Sequence, residues 1–198
     1  GMYLSVLLQP RAEKRHWFAL SFAASLAVLD TVRDQLDPHF DGQHMPQCGL
    51  KWPNDVIMAG GKIAGILLEA EGQYLIVGSG INITPVQVSN HKAIAPVALA
   101  DIWPQTAGGL PTPHQLASCY MTHLAYWYGE FDQNGFAPIR DAWLGNALFL
   151  GEALLVRRET TEISGVFNDL GMDGALLLLD DSGKTHHITT GEVKLLDG

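Results

Sequence analysis

The sequence predicts an α+β protein in two parts: a helix-flanked mixed sheet up to about Ala147, then a small β-barrel of the SH3 type over residues 148–198. The first observation behind this is a change of rhythm. Before Leu148, long apolar helical segments alternate with strands, and after it only short strands divided by tight turns remain. The second is size. A chain of 198 residues that is 47% hydrophobic can hold a medium domain plus a small one, each with its own core.

Taken in order, Tyr3–Gln9 reads as a short apolar strand ended by Pro10. A helix fits from about Arg15 to Leu36, with Asp37-Pro38 as its stop. The near-apolar stretch Trp17–Leu29 makes its first half buried on most sides. After a polar loop at Asp41–Gln47 comes a strand meander from Gly49 to Ile83. In it, the paired glycines of Ala59-Gly60-Gly61-Lys62 supply a hairpin turn, and Glu71-Gly72 turns the chain again. A surface loop follows at Thr84–Val97, then a short helical piece near Ala98–Trp103. Thr112-Pro113-His114-Gln115 has the order of a capping box with proline at the first helical position, opening a helix to about Glu130. Its Tyr120, Leu124, Trp127 and Tyr128 are spaced for core packing. A last helix spans roughly Phe136–Leu144. The barrel strands are Ala153–Arg157, Thr161–Asn168, Ala175–Leu179 and Lys184–Thr189, punctuated by Gly171-Met172-Asp173-Gly174 and Asp180-Asp181-Ser182-Gly183.

Composition excludes several classes of function. No apolar run reaches the roughly 20 residues of a membrane span, and the first residues lack a basic signal-peptide region, so a cytoplasmic protein is expected. The net charge of −9, with 21 acidic against 12 basic residues, argues against a nucleic-acid partner. Cys48 and Cys119 stand far apart and are expected as buried free thiols. The eight histidines show no metal-ligand spacing, and His186-His187 would point to opposite faces of a strand.

Chemistry concentrates in three stretches: Lys51-Trp52-Pro53-Asn54-Asp55, then Gly61–Glu69, then Gly78-Ser79-Gly80-Ile81-Asn82. They place two lysines, an aspartate and an asparagine around one hairpin. The glycines of the neighbouring strand let a ligand approach the backbone closely. Lysines on stiff strands suit a carboxylate or a phosphate, and an adjacent aspartate suits a metal-bound nucleotide. The plainer alternative is a surface hairpin with solvated charges and two glycine kinks.

The order and spacing of these stretches resemble the biotin protein ligases, whose central motifs are KWPND, a hairpin ending in K-I/L-A-G-I-L-x-E, and G-x-G-I-N. The opening Tyr3-Leu4-Ser5 strand, the apolar helix after it and Gly191-Glu192-Val193 in the barrel fit the same pattern. The resemblance implies a largely antiparallel sheet related to class II aminoacyl-tRNA synthetases, carrying the biotin and ATP sites within residues 1–147. It implies ATP-dependent formation of biotinyl-adenylate and transfer of biotin to a lysine of a biotin carboxyl carrier protein. By it, Lys62 lies beside the biotin carboxylate and the α-phosphate, and Lys51 serves the nucleotide phosphates. Asn54 and Asp55 sit at the nucleotide, with Asp55 near its Mg2+. Gly65, Gly78 and Gly80 line the biotin site, and Asn82 lies toward the adenosine. The family's G-R-G-R-x-G phosphate loop does not occur here, and Arg11 and Arg15 do not replace it. The expectation is thus a catalytic domain without its N-terminal part and without repressor activity. A non-catalytic ligand-binding homologue and a lipoate ligase-like enzyme are the alternatives, and a homodimer is left open.

Overall fold

The computed structural model describes residues 1–40, 45–85, 94–105, 107–158 and 161–196. Much of the loops expected at Asp41–Gln47 and Thr84–Val97 lies outside these residues. The first sheet holds β1 (Met2–Leu8), β2 (Cys48–Lys51), β3 (Asp55–Met58), β4 (Gly61–Glu71) and β5 (Tyr74–Ile81) in the order β1-β5-β4-β3-β2. Every ladder in it is antiparallel. The parallel component of the expected mixed sheet is confined to isolated bridges, Leu50 to Ala147 and Lys62 to Pro96.

One face of the sheet is covered by α1 (Ala19–Leu36) and α3 (Pro113–Asn134), with α4 (Ala137–Leu144) packed on both. The short α2 (Leu99–Ile102) is tied to the chain after β5, with Leu99 N and Ala100 N donating to the Asn82 and Ile83 carbonyls. Helix α1 is buried almost all round, as its apolar sequence requires. It begins four residues later than expected. Lys14–His16 form a separate 3-10 turn instead, because three basic side chains at a helix N-terminus would oppose its dipole. Helix α3 is capped as read from the sequence: the Thr112 hydroxyl accepts from the Gln115 N–H, and the Gln115 side chain accepts from the Thr112 N–H. It runs past Glu130 to Asn134, since Phe131 is buried and Gly135, at φ 71°, supplies the left-handed stop.

The second sheet contains β6 (Ala153–Arg157), β7 (Glu162–Leu170), β8 (Leu176–Leu179), β9 (Thr185–Ile188) and β10 (Glu192–Leu195), ordered β10-β6-β7-β8-β9. The last strand returns to pair with the first, as a small barrel requires. A continuous apolar core joins the two sheets. Phe18, Phe22, Phe136 and Trp143 meet edge to face at 5.1–5.4 Å between ring centres, a geometry worth about 0.5–1.5 kcal/mol per pair beyond burial. The Gly171–Gly174 turn docks on this cluster. At Gly174, φ is 77° and an added Cβ would come within 2.8 Å of Phe18, so only glycine fits. Trp52 Nε1 donates to the Gly174 carbonyl at 3.0 Å, and Arg140 donates to the Leu170 carbonyl and to Asp169. Cys48 and Cys119 are unbridged, but both are half-buried rather than fully buried.

Tyr120 does more than pack. Its hydroxyl bonds Ser79 Oγ at 2.7 Å in the interior, tying β5 to α3, and burial pushes the phenol up to about 12. Tyr120→Phe should therefore leave the buried Ser79 hydroxyl unsatisfied and lower stability by about 1–3 kcal/mol. Urea unfolding of the variant beside the parent checks this, and an unchanged midpoint would refute it.

Candidate active site

The exposed face of the first sheet is unusually bare. Along β5 the residues alternate, with Leu75, Val77, Ser79 and Ile81 turned to the helices and Ile76, Gly78 and Gly80 to the open side. The pairing register then lines up one row across all five strands: Tyr3 opposite Gly80, Gly80 opposite Gly65, Gly65 opposite Asp55, and Asp55 opposite Lys51. Paired residues share a face, so an aromatic ring, two bare backbones, a carboxylate and an ammonium stand side by side.

Lys62 joins this row through an irregularity. In a regular strand, residues 62 and 65 would point to opposite faces. Between Val56 and Ile57 the register of β3 against β4 slips, so that Ile57 pairs with Lys62 and Val56 with Ala64, leaving Ile63 as a bulge. The extra residue turns Lys62 onto the open face, a use bulges commonly serve near functional sites. Its backbone is held on both sides: Lys62 N donates to the Ala95 carbonyl, Val97 N donates to the Lys62 carbonyl, and Asn82 Nδ2 bonds the carbonyls of Lys62 and Val97. The side chain lies across Gly65, where an added Cβ would come within 3.0 Å of Lys62 Cε and Nζ, and its ammonium pairs with Asp55.

Above the row opens a half-enclosed cavity of about 500 Å³, within the range that holds small-molecule ligands. Lys62, Gly65, Gly78, Gly80 and Asn82 all line it, with Tyr3, Ser5 and Leu67 as side walls. The Tyr3 ring lies over Gly80, where a Cβ would come within 3.2 Å of it, whereas a Cβ at Gly78 would meet only ordinary contact with Leu67. The cavity is apolar along its floor and carries positive charge at the Lys62 end.

The remaining candidates sit outside the lining. Asn54 donates from Nδ2 to the Ile66 carbonyl at 2.6 Å and its own carbonyl accepts from Ile66 N, so it braces β4 rather than facing the cavity. Asp55 reaches the cavity only through Lys62. Lys51 is buried at the far end of the row. Burial pushes its ammonium below the ordinary lysine range, while the Asp55 and Glu192 carboxylates oppose that shift. Glu192 on β10 thus brings the second sheet into the charge chain. Tyr3, Ser5, Leu67 and Glu192 were not singled out as site residues from the sequence. Only strand register could have found Tyr3 and Ser5, which stand next to the glycines in space but not along the chain; alternation along β4 already puts Leu67 on the face of Gly65. A direct magnesium ligand at Asp55 does not fit: one carboxylate, already paired to an ammonium and set back from the cavity, is a poor donor set for a hard divalent cation.

Comparison with known proteins identifies the family. Residues 1–83 match the biotin/lipoate A/B protein ligase family and residues 149–196 the biotin protein ligase C terminal domain. A biotin–acetyl-CoA-carboxylase ligase from Paracoccus denitrificans is 34% identical over 186 residues, covering 91% of this chain and 74% of its own. A biotin protein ligase structure from Aquifex aeolicus superposes with a TM-score of 0.79 at 25% identity, covering 99% of this chain and 82% of that one. The same enzyme in complex with biotin and ATP gives 0.79 at 24% identity, over 99% and 78%. The chain belongs to the biotin protein ligase family.

The Gly65 geometry makes a testable statement about Lys62. In Gly65→Ala the new methyl should press the Lys62 tip a few tenths of an ångström from its place over residue 65 while the fold persists. A crystal structure of the variant with Lys62 Cε and Nζ unmoved would show that the bare backbone at 65 is not what places the lysine.

Proposed function

We propose that the chain activates biotin with ATP and passes it to a lysine of a carrier protein, with residues 1–147 holding biotin and nucleotide and residues 148–198 forming a small barrel against them. The observation that carries this is the Lys62 ammonium, aimed by a bulge over a glycine floor at one end of an apolar cavity. Biotin is a ureido ring fused to a thiolane ring, with a carboxylate at the end of an aliphatic chain. Its thiolane and chain suit the bare floor at Gly78 and Gly80, walled by Tyr3 and Leu67, and its carboxylate suits the lysine. In the first step a carboxylate oxygen attacks the α-phosphorus of ATP, the bond to the bridging oxygen breaks, and pyrophosphate leaves. In the second, the carrier lysine's amine attacks the acyl carbon, AMP departs, and the amine loses its proton.

Negative charge gathers where the carboxylate meets the phosphate. Lys62, held at its backbone by residues 82, 95 and 97, meets that charge with little reorganisation. Asp55 holds the ammonium in place between turnovers, and Asn82 fixes the strand that carries it. Lys51 is assigned a place near the nucleotide phosphates, reached along the Lys51–Asp55–Lys62 chain of charges, with Asn54 bracing that end. Magnesium would come with the nucleotide, on its phosphates, and no residue of this chain is assigned to it. The proposed partners are biotin, ATP and a biotin carboxyl carrier protein. A cytoplasmic setting is proposed, the net charge of −9 argues against a nucleic-acid partner, and the association state is left open.

A second reading has one observation in its favour: no G-R-G-R sequence occurs in the 198 residues, so a biotin-binding homologue that does not adenylate is the rival. The two separate by pyrophosphate release with biotin and ATP, measured on the protein made from its complete open reading frame, alongside a biotin-binding titration. Lys62→Ala should cut adenylation by about a hundredfold or more, the usual loss for one preorganised charged contact, and weaken biotin binding far less. Gly80→Val should do the reverse by filling the floor. Biotin binding without pyrophosphate release in the parent would favour the rival, and preferential turnover of lipoate would reassign the substrate.

A further inference from the structure

Away from the cavity, α1 and α3 bring together a second cluster with its own chemistry. The helices run antiparallel here, since Asp30 meets Trp127 while Asp34 meets Cys119 and His123. Each contributes a pair four residues apart, Asp30 with Asp34 and Cys119 with His123, so both members of each pair sit on one helix face. His123 Nε2 lies 2.8 Å from Asp34 Oδ2, and Cys119 Sγ lies 3.7 Å from the same oxygen. Carboxylate, thiol and imidazole donor atoms all fall within 4.8 Å of one another. The other ring nitrogen, Nδ1, faces Asp30 at 4.0 Å, and Asp30 is fixed by a 2.8 Å hydrogen bond from Trp127 Nε1.

We propose that Asp34, Cys119 and His123 form a binding site for a borderline-soft divalent cation such as Zn2+, clamping α1 to α3. Thiolate, imidazole and carboxylate together are a donor set of the zinc type and a poor one for magnesium or calcium. Three protein ligands leave a fourth, tetrahedral position to water. With metal–donor bonds of about 2.0–2.3 Å, ligand atoms stand roughly 3.3–3.7 Å apart; the thiol is already at that distance from the Asp34 oxygen, the His123–Asp34 pair needs to open by about half an ångström, and the thiol and imidazole start within 4.8 Å of each other. Asp30 takes the part of the outer carboxylate that orients a ligating imidazole, with Trp127 holding it in turn. The surroundings match this role: Thr31 and Gln35 flank the thiol, and Arg33 is turned away to the Cys48 carbonyl.

Coordination would take Cys119 as thiolate and His123 as neutral imidazole, releasing the thiol proton to solvent and giving a neutral unit of cation, thiolate, carboxylate and imidazole. The pattern is hidden in the sequence because its ligands come from two separate helices, whose spacings combine only when the fold brings α1 and α3 together.

The test is a titration of the tag-free chain with Co2+, a coloured substitute for Zn2+. Expected are one ion per chain, a thiolate-to-cobalt charge-transfer band, release of about one proton per ion, and loss of the band with a rise in melting temperature when Zn2+ is added. Cys119→Ser and, independently, Asp34→Asn should remove the band while Cys48→Ser retains it. Asp30→Asn should weaken cobalt binding by about tenfold or more. Absence of a band at millimolar cobalt, a band that survives Cys119→Ser, or a melting temperature indifferent to Zn2+ would each overturn the proposal. The cluster would then be a hydrogen-bonded latch between helices.

Discussion

Helix α1 has no solvent face over most of its length, and an apolar rod of this kind must be enclosed on every side. The sheet covers one flank, α3 and α4 cover others, and the Gly171–Gly174 turn of the second sheet closes over Phe18 and Phe22 at its start. Small residues such as Ala19, Ala23, Ala24 and Ala27 let these neighbours approach. Because all of them press on the same helix, the two sheets share a core instead of behaving as beads on a string.

The same arrangement explains why the opposite face of the first sheet is free for chemistry. With every helix that covers this sheet engaged on the α1 side, the outer face need not bury apolar side chains and can carry glycines. Gly65 opposite Gly80 would be a weak point in a sheet that relied on side chains from both faces. Here the strands are secured from behind, by alternate residues of β5 in the core and by the Ser79–Tyr120 hydrogen bond. A sparsely furnished surface is thereby held rigid enough to position a lysine.

Local features of the fold were legible in the sequence because short-range chemistry decides them. The Thr112–Gln115 capping box, the hairpin at Gly60 and the turn glycines of the second sheet all follow from neighbouring residues. Even there the turn differs in detail. Ala59 and Gly60, not the two glycines, take the left-handed conformations, and Gly61 already belongs to β4, packed against Val97. Of the site, the glycines and Lys62 stood out by type, but their assembly did not. That Tyr3 lies over Gly80, or that one unpaired residue at Ile63 reverses the direction of Lys62, depends on long-range register, which composition and periodicity leave undetermined. Asn54 shows the same limit: its place in a charged motif suggested ligand contact, and the fold turns one of its amide N–H groups to the Ile66 carbonyl.

The floor glycines are not equivalent. A side chain at 65 would collide with Lys62, and one at 80 with Tyr3, so both are tied to neighbours that define the cavity. At 78 an added methyl would meet Leu67 only at ordinary contact distance and would otherwise enter empty space. The depth of the cavity can therefore be altered at 78 alone without disturbing charge or wall. A side chain there would make the cavity shallower, so that position offers a route to slimmer ligands while Lys62 stays where it is.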